Sequence, residues 1–183
     1  NFNFHKHINL LCVGRLDPNK GHFDLLKALN ILSRKYPNTV HLKIYGESNN
    51  PYYEKELKKQ CLELGVSKIV SFEGFSKDKK EIFKADQIVV VPSVKIEANN
   101  MVILEALSYG LPVIATNVGG VKDVFKHYDS RLLAQPLNHL SITKSIEYFL
   151  RLNDIEKDNI IKLGLQIVES HFSCELMSEI GRA

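Results

Sequence analysis

Residues 92–120 read PSVKIEANNMVILEALSYGLPVIATNVGG, a strand end, a loop, a very apolar helix over residues 100–109 and a second strand over 112–115. Two carboxylates punctuate the stretch: Glu97 in the loop and Glu105 inside the helix, with the helix N-terminus falling between them near Asn99 and Asn100. Met101, Val102, Ile103, Leu104, Ala106 and Leu107 leave the helix no broad polar face, which predicts burial nearly all round. A glutamate in such a helix needs partners, because an unpaired buried charge costs several kcal/mol or gives up its ionisation. Ahead of it, the first-turn amides lack intrahelical acceptors and the aligned peptide dipoles add positive potential, so an anion such as phosphate is expected near residues 99–102. Pairing of Glu105 with a neighbouring lysine or arginine, purely for structure, is the other reading.

Outward from this stretch the chain alternates strands and helices. Immediately upstream, QIVVV over residues 87–91 is a continuous β-branched run of the kind found in central parallel strands. Residues 7–13 end in INLLCV, a buried strand stopped by Gly14; GRLDPNKGH is loop chemistry, and residues 23–36 carry apolar positions at helical spacing. VHLKIY over 40–45 is a strand closed by Gly46, and 52–64 is a helix with Pro51 at its start and Gly65 at its end. Further strands are expected at 68–72 and 131–134, with short helices at 78–85 and after the Gly119-Gly120 turn. From Leu140 onward the pattern is helical, broken into a segment ending near Leu150, one over 155–168 and one over 174–180. Six short strands alternating with helices argue for an α/β fold, a doubly wound, Rossmann-like parallel sheet of about six strands. In the common strand order 3-2-1-4-5-6, ligands bind where the crossovers reverse, at the carboxyl ends of the first and fourth strands. The loops after those strands carry Arg15 and Lys20 on one side and Glu97 with the helix N-terminus on the other. These features, far apart in sequence, are thereby expected to converge on one crevice.

Composition sets the outer limits. With 183 residues, 44% hydrophobic and 25% charged, the chain suits one well-buried soluble domain, 1–183, and leaves no room for a second of similar size. A net charge of +3 is too weak to argue for nucleic acid, though it suits an anionic ligand or membrane surface. The three cysteines are widely spaced without metal-ligand pairing, so reduced thiols of a cytoplasmic protein are expected. No run reaches the roughly 18 apolar residues of a membrane span, and no signal-peptide h-region is present. The abrupt start before the first strand and the end just after a helical stretch are those expected of a domain from a longer protein.

The ligand follows from the chemistry. Two cations with a helix N-terminus suit a diphosphate, and an ionised carboxylate suits a diol, because its two oxygens accept adjacent hydroxyl hydrogens. Diphosphate joined to ribose is a nucleotide. GRLDPNKG holds only Gly14 and Gly21, so there is no GxGxxG, nor any GxxxxGK[ST], which argues against dinucleotide redox and P-loop readings. No zinc cluster, nucleophile elbow or acidic metal pair is visible.

Taken together, GRLDPNKG, the IYG of residues 44–46, VSFEGF and the E-x7-E of Glu97 and Glu105, flanked by PS, LEA and GLPVIAT, make the chain resemble the C-terminal, donor-binding domain of retaining glycosyltransferases of the GT-B fold, in the large family 4 also called glycosyl transferase group 1. The resemblance covers roughly residues 7–172. It implies that Arg15 and Lys20, beside Gly14, hold the diphosphate of a UDP-, GDP- or ADP-sugar and stabilise the charge that develops there. It implies that Glu105 grips the ribose hydroxyls, that backbone around Asn99, Asn100, Met101 and Val102 cradles phosphate, and that Glu97 faces the donor sugar. Phe75 and Ser76 would lie against the base. No metal or other cofactor is implied, and the acceptor, a glycan or lipid-linked sugar, would be held by an N-terminal domain absent from this chain. The implied protein builds polysaccharide or glycolipid, in the cytoplasm or peripherally at the inner face of the membrane, and this fragment alone should turn over little. Ala98, Asn99 and Asn100 replace the proline or glycine, aromatic and glycine of many members, and Asp123 stands where many have glutamate; a helix-start role suffices for it. The competing class is a non-catalytic nucleotide-sugar-binding or assembly module of the same fold, and a flavin or nicotinamide redox domain comes third.

Overall fold

The two most continuously apolar runs lie side by side at the centre of the sheet. In this computed structural model, which describes residues 7–95 and 101–180 and side chains as far as Ser170, β1 (Ile8–Val13) pairs with β4 (Gln87–Val91), whose five residues are all buried. β2 (Val40–Tyr45) and β3 (Val70–Gly74) extend the sheet on one side, and β5 (Val113–Thr116) and β6 (Leu133–Ala134) on the other. All pairs are parallel and the order is β3-β2-β1-β4-β5-β6, the doubly wound arrangement expected. Right-handed crossovers then send the helices that follow β1 and β2 to one face and those that follow β4 and β5 to the other.

The helices are α1 (His22–Lys35), α2 (Pro51–Glu63), α3 (Lys79–Ile82), α4 (Met101–Ser108), α5 (Val121–Phe125), α6 (His139–Arg151) and α7 (Asp154–Ile180). α1 forms because Leu25, Leu26, Ala28, Leu29 and Leu32 repeat on one face and are fully buried, at about 2–3 kcal/mol per leucine removed from water. Its polar ends complement its dipole, with Asp24 in the first turn and Arg34 and Lys35 in the last. Asn50 caps α2, its side chain accepting from the Tyr52 N–H at 3.0 Å, with Pro51 in the first position. α1 packs on α6, and α4 on α7.

Several boundaries differ from expectation. The third strand starts at Val70, after a 3-10 turn over Ser67–Ile69, and the sixth is reduced to Leu133–Ala134 by a similar turn over Ser130–Leu132. The helix expected over 78–85 is a single turn. The two helices expected over 155–168 and 174–180 are one, because the intervening ESHFS contains no proline or glycine to interrupt the ladder. α7 tolerates Gly164 because a Cβ there would lie 2.7 Å from Leu107 Cδ2, so the glycine is where α7 meets α4. α4 is not buried all round. Ile103, Leu104, Ala106 and Leu107 face the core, but Met101 and Tyr109 are 52% and 41% exposed, and Glu105 lies between them on the same stripe. One turn of sequence hydrophobicity cannot tell a helix wedged in the core from one laid on its edge.

Candidate active site

The loops after β1, β2 and β3 are stitched together by backbone groups beyond the strand ends. The Gly14 N–H donates to the Tyr45 carbonyl at 2.9 Å, Gly46 N–H to Gly74 at 2.7 Å, and Leu16 N–H to Glu47 at 2.9 Å. Gly46 is needed here: at φ 147° any Cβ would sit 1.8 Å from the Gly14 carbonyl oxygen. The close backbones floor a cleft of about 260 Å³ at the carboxyl ends of these strands, lined by Val13, Gly14, Arg15, Tyr45, Gly46, Glu47, Asn49, Phe75, Ser76, Lys79 and Ile82. Arg15, Phe75 and Ser76, named from the sequence, thus line one space. Lys20 belongs beside them, since its Cδ and Cε lie 3.8 Å from the point where a Gly14 Cβ would be.

The β1 loop is also locked to the β4 loop. Asp17 caps a 3-10 turn over Pro18–Lys20 by accepting from the Asn19 N–H. Gly21 follows at φ 69°, where a Cβ would lie 1.9 Å from the Pro92 carbonyl oxygen. Next to it, the Val94 N–H donates to Asn19 O at 2.8 Å. From the other side the Thr116 hydroxyl of β5 reaches the carbonyl oxygens of Val91 and Ser93. Residues 92–94 are therefore pinned between two elements at the point where the crossovers reverse. Glu97, Asn99 and Asn100 follow in the chain and lie outside the described residues.

Beneath this junction His22 is fully buried at the start of α1, its Nδ1 3.3 Å from the Tyr53 hydroxyl. Burial, aided by the charge of Lys20, pushes its pKa down to about 4, so it is neutral at physiological pH. Burial likewise pushes the Tyr53 phenol up, which keeps the buried pair uncharged.

Glu105 is half-buried, not engulfed, and one of its oxygens is already engaged: Oε2 lies 2.8 Å from the Lys79 ammonium. The partner that a carboxylate in α4 required is thus a lysine from α3 that also lines the cleft. Met101 and Val102 form the first described turn of α4, the first exposed and the second half-buried. Asp123 stands apart on α5, paired with Lys126 at 2.8 Å. Lys79, Tyr45, Glu47 and Asn49 were not singled out as site residues from sequence. IYG marks the position of Tyr45 and Gly46, but Lys79 sits in a run of charges, KDKKE, with nothing local to distinguish it. Among the described residues no three His, Cys, Asp or Glu side chains gather so as to hold a metal ion, and no helix is long and apolar enough to cross a membrane.

The cleft lies over the carboxyl ends of β1, β2 and β3, lined by Arg15 and Lys79, with the Lys79-paired Glu105 beyond it; the family model described as "Glycosyl transferases group 1" matches residues 2–164. This chain belongs to that family. An uncharacterised glycosyltransferase of Methanocaldococcus jannaschii is 35% identical to this group 1 chain over 144 residues, covering 77% of the chain and 35% of that protein. An Anabaena protein solved in complex with UDP and glucose superposes with a TM-score of 0.82 at 24% identity, over 99% of this chain and 50% of that one. The C-terminal domain of a group 1 family glycosyl transferase from Francisella tularensis superposes with a TM-score of 0.76 at 25% identity, over 90% of this chain and 86% of that one. The sheet is accordingly the Rossmann-like one of GT-B glycosyltransferase structures. The chain spans less than half the length of the first curated relatives it matches, between 30% and 46%.

Proposed function

We propose that this chain is the donor-binding domain of a retaining glycosyltransferase that moves a sugar from a nucleoside-diphosphate sugar to a glycan or glycolipid acceptor. The observation that carries the reading is the meeting of Arg15, Phe75 and Ser76 around one cleft, with the Lys20 stem beside Gly14 and Glu105 joined to that cleft through Lys79. Support comes from the family match and from the Anabaena neighbour, whose complexes hold UDP and glucose.

In this reading the diphosphate lies over Gly14, where the absence of a side chain leaves room, between the Arg15 guanidinium and the Lys20 ammonium. As the bond from the anomeric carbon to the diphosphate breaks, negative charge grows on the leaving oxygen, and two preset cations stabilise that charge without reorganising. Positive charge supplied this way assigns no metal or cofactor to the domain. Glu105 accepts the ribose hydroxyls, Phe75 and Ser76 flank the base, and the amides at Met101 and Val102 complete the phosphate cradle with Asn99 and Asn100. Glu97 is assigned the face of the donor sugar. The acceptor site is assigned to another domain of the same protein, so transfer by this chain alone should be very slow.

Calorimetric titration with UDP, GDP and ADP, on the wild type and on Lys20→Ala and Glu105→Ala, tests the reading. Saturable binding of one nucleotide, weakened about tenfold or more by each substitution, is the expected result. Binding that both variants leave unchanged would place the nucleotide elsewhere. In the full-length protein, Glu97→Gln should abolish transfer while leaving nucleotide affinity nearly intact, which a non-catalytic module would not show.

A further inference from the structure

We propose that Lys79 is a positioning residue of the nucleotide site, holding the Glu105 carboxylate in the orientation that receives the ribose hydroxyls. The proposal rests on the reading of Glu105 given above and adds a residue from a different element.

The geometry around Lys79 is built from several directions. Asp78 caps α3, its side chain accepting from the N–H groups of Lys80 and Glu81 at 2.9 and 3.2 Å. The Ser76 hydroxyl accepts from the Asp78 N–H at 3.1 Å and donates to Glu81 at 2.9 Å. These local bonds brace the turn that leaves the cleft wall at Phe75 and Ser76, and so determine where the Lys79 side chain starts. At its far end the ammonium lies 5.9 Å from the ring centroid of Phe83, a buried residue whose ring meets that of Tyr109, just past α4, at 5.3 Å between centroids. Lys79 therefore bridges the cleft wall and α4, and Glu105 receives it at 2.8 Å.

Stability alone gives little reason for this pair. Side chains exposed by 44% and 27% form an ion pair that water and salt screen heavily. Orientation is a better account. A carboxylate has about four lone-pair sites on its two oxygens; the ammonium takes one on Oε2, leaving acceptor positions for two hydroxyl hydrogens. Without that anchor Glu105 has three rotatable bonds and solvent on one side, and the diol would have to order it on binding. Lys79 thereby lowers the entropy lost when the ribose docks.

The test compares UDP, GDP and ADP with their 2′-deoxy forms by calorimetry on the full-length protein, in wild type, Lys79→Met, Lys79→Arg, Glu105→Gln and the Lys79→Met/Glu105→Gln pair. Methionine keeps an unbranched side chain of similar length and removes the charge. The wild type should prefer the ribonucleotide about tenfold or more, Lys79→Met should bring that ratio below about threefold, and Lys79→Arg should restore most of it. Adding Lys79→Met to Glu105→Gln should change the ratio no further. A wild-type ratio retained in Lys79→Met, together with its loss in Glu105→Gln, would overturn the positioning role while sparing the reading of Glu105. A ribose preference that survives Glu105→Gln, or no binding of any of the three nucleotides, would overturn the underlying reading itself.

Discussion

Replacing Gly21 with alanine should disturb the cleft although Gly21 does not line it. Two costs are local. At φ 69° an alanine sits in the left-handed region, at roughly 1–2 kcal/mol. Its Cβ would also lie 1.9 Å from the Pro92 carbonyl oxygen, a backbone atom that no rotamer change can move aside. Relief requires the β1 and β4 loops to separate by about 1 Å, which breaks the Val94 to Asn19 hydrogen bond at about 0.5–1.5 kcal/mol. The total is about 1.5–3.5 kcal/mol, a fall in Tm of about 3–14 °C at this chain length. The functional effect is separate, because that displacement shifts the loop that carries Lys20, and a misplacement of about 1 Å can cost about a hundredfold in rate. Urea denaturation measures the first quantity. Nucleotide titration, with transfer by the full-length protein, measures the second. A Gly21→Ala protein with a wild-type midpoint and wild-type affinity would refute the claim that contact between these two loops sets the cleft.

Other consequences concern groups buried around the site. The unfolded chain takes up a proton on His22 near pH 6.5 and the folded chain only near 4, so the unfolded state binds more protons in between. His22's contribution is therefore fully present above about pH 6.5 and is lost as pH falls towards 4, amounting to about 3 kcal/mol. Urea midpoints from pH 7 to 4 should show His22→Asn falling less steeply than wild type; parallel curves would mean that the folded imidazole takes its proton normally. Thr116→Val keeps the shape of the side chain but removes the hydroxyl that donates to the Val91 and Ser93 carbonyls, which should cost about 1–3 kcal/mol. The same change should speed hydrogen exchange at the Val94 amide, and Thr116→Ser should restore both.

Short-range signals made much of this molecule legible. INLLCV and QIVVV have the composition of buried parallel strands, and Pro51 and Gly65 bracket α2 as their backbone preferences require. Arg15 and Lys20 could be singled out because alternation points to a doubly wound sheet, whose common strand order puts the loop after β1 at the switch point. Where local cues were weak the boundaries moved: 3-10 turns consumed the starts of β3 and β6, and nothing in ESHFS stops α7. Candidate residues could be named one segment at a time from the sequence, but the contacts between them could not.

What the sequence by itself determined was the doubly wound sheet; it pointed to the ends of β1 and β4 for the crevice, whereas the described cleft lies over β1, β2 and β3. Periodicity, caps and glycines act within a strand or a turn, so they can be read one segment at a time. Only the tertiary structure decided that Gly46 must yield to Gly14, that Gly21 must yield to Pro92, that α4 lies on the edge of the core, and that Glu105 reaches across 26 residues of chain to Lys79. Each of these depends on the register of neighbouring strands and the seating of one helix on another. Those quantities are set by the packing of the whole core, and no single stretch of the chain contains them.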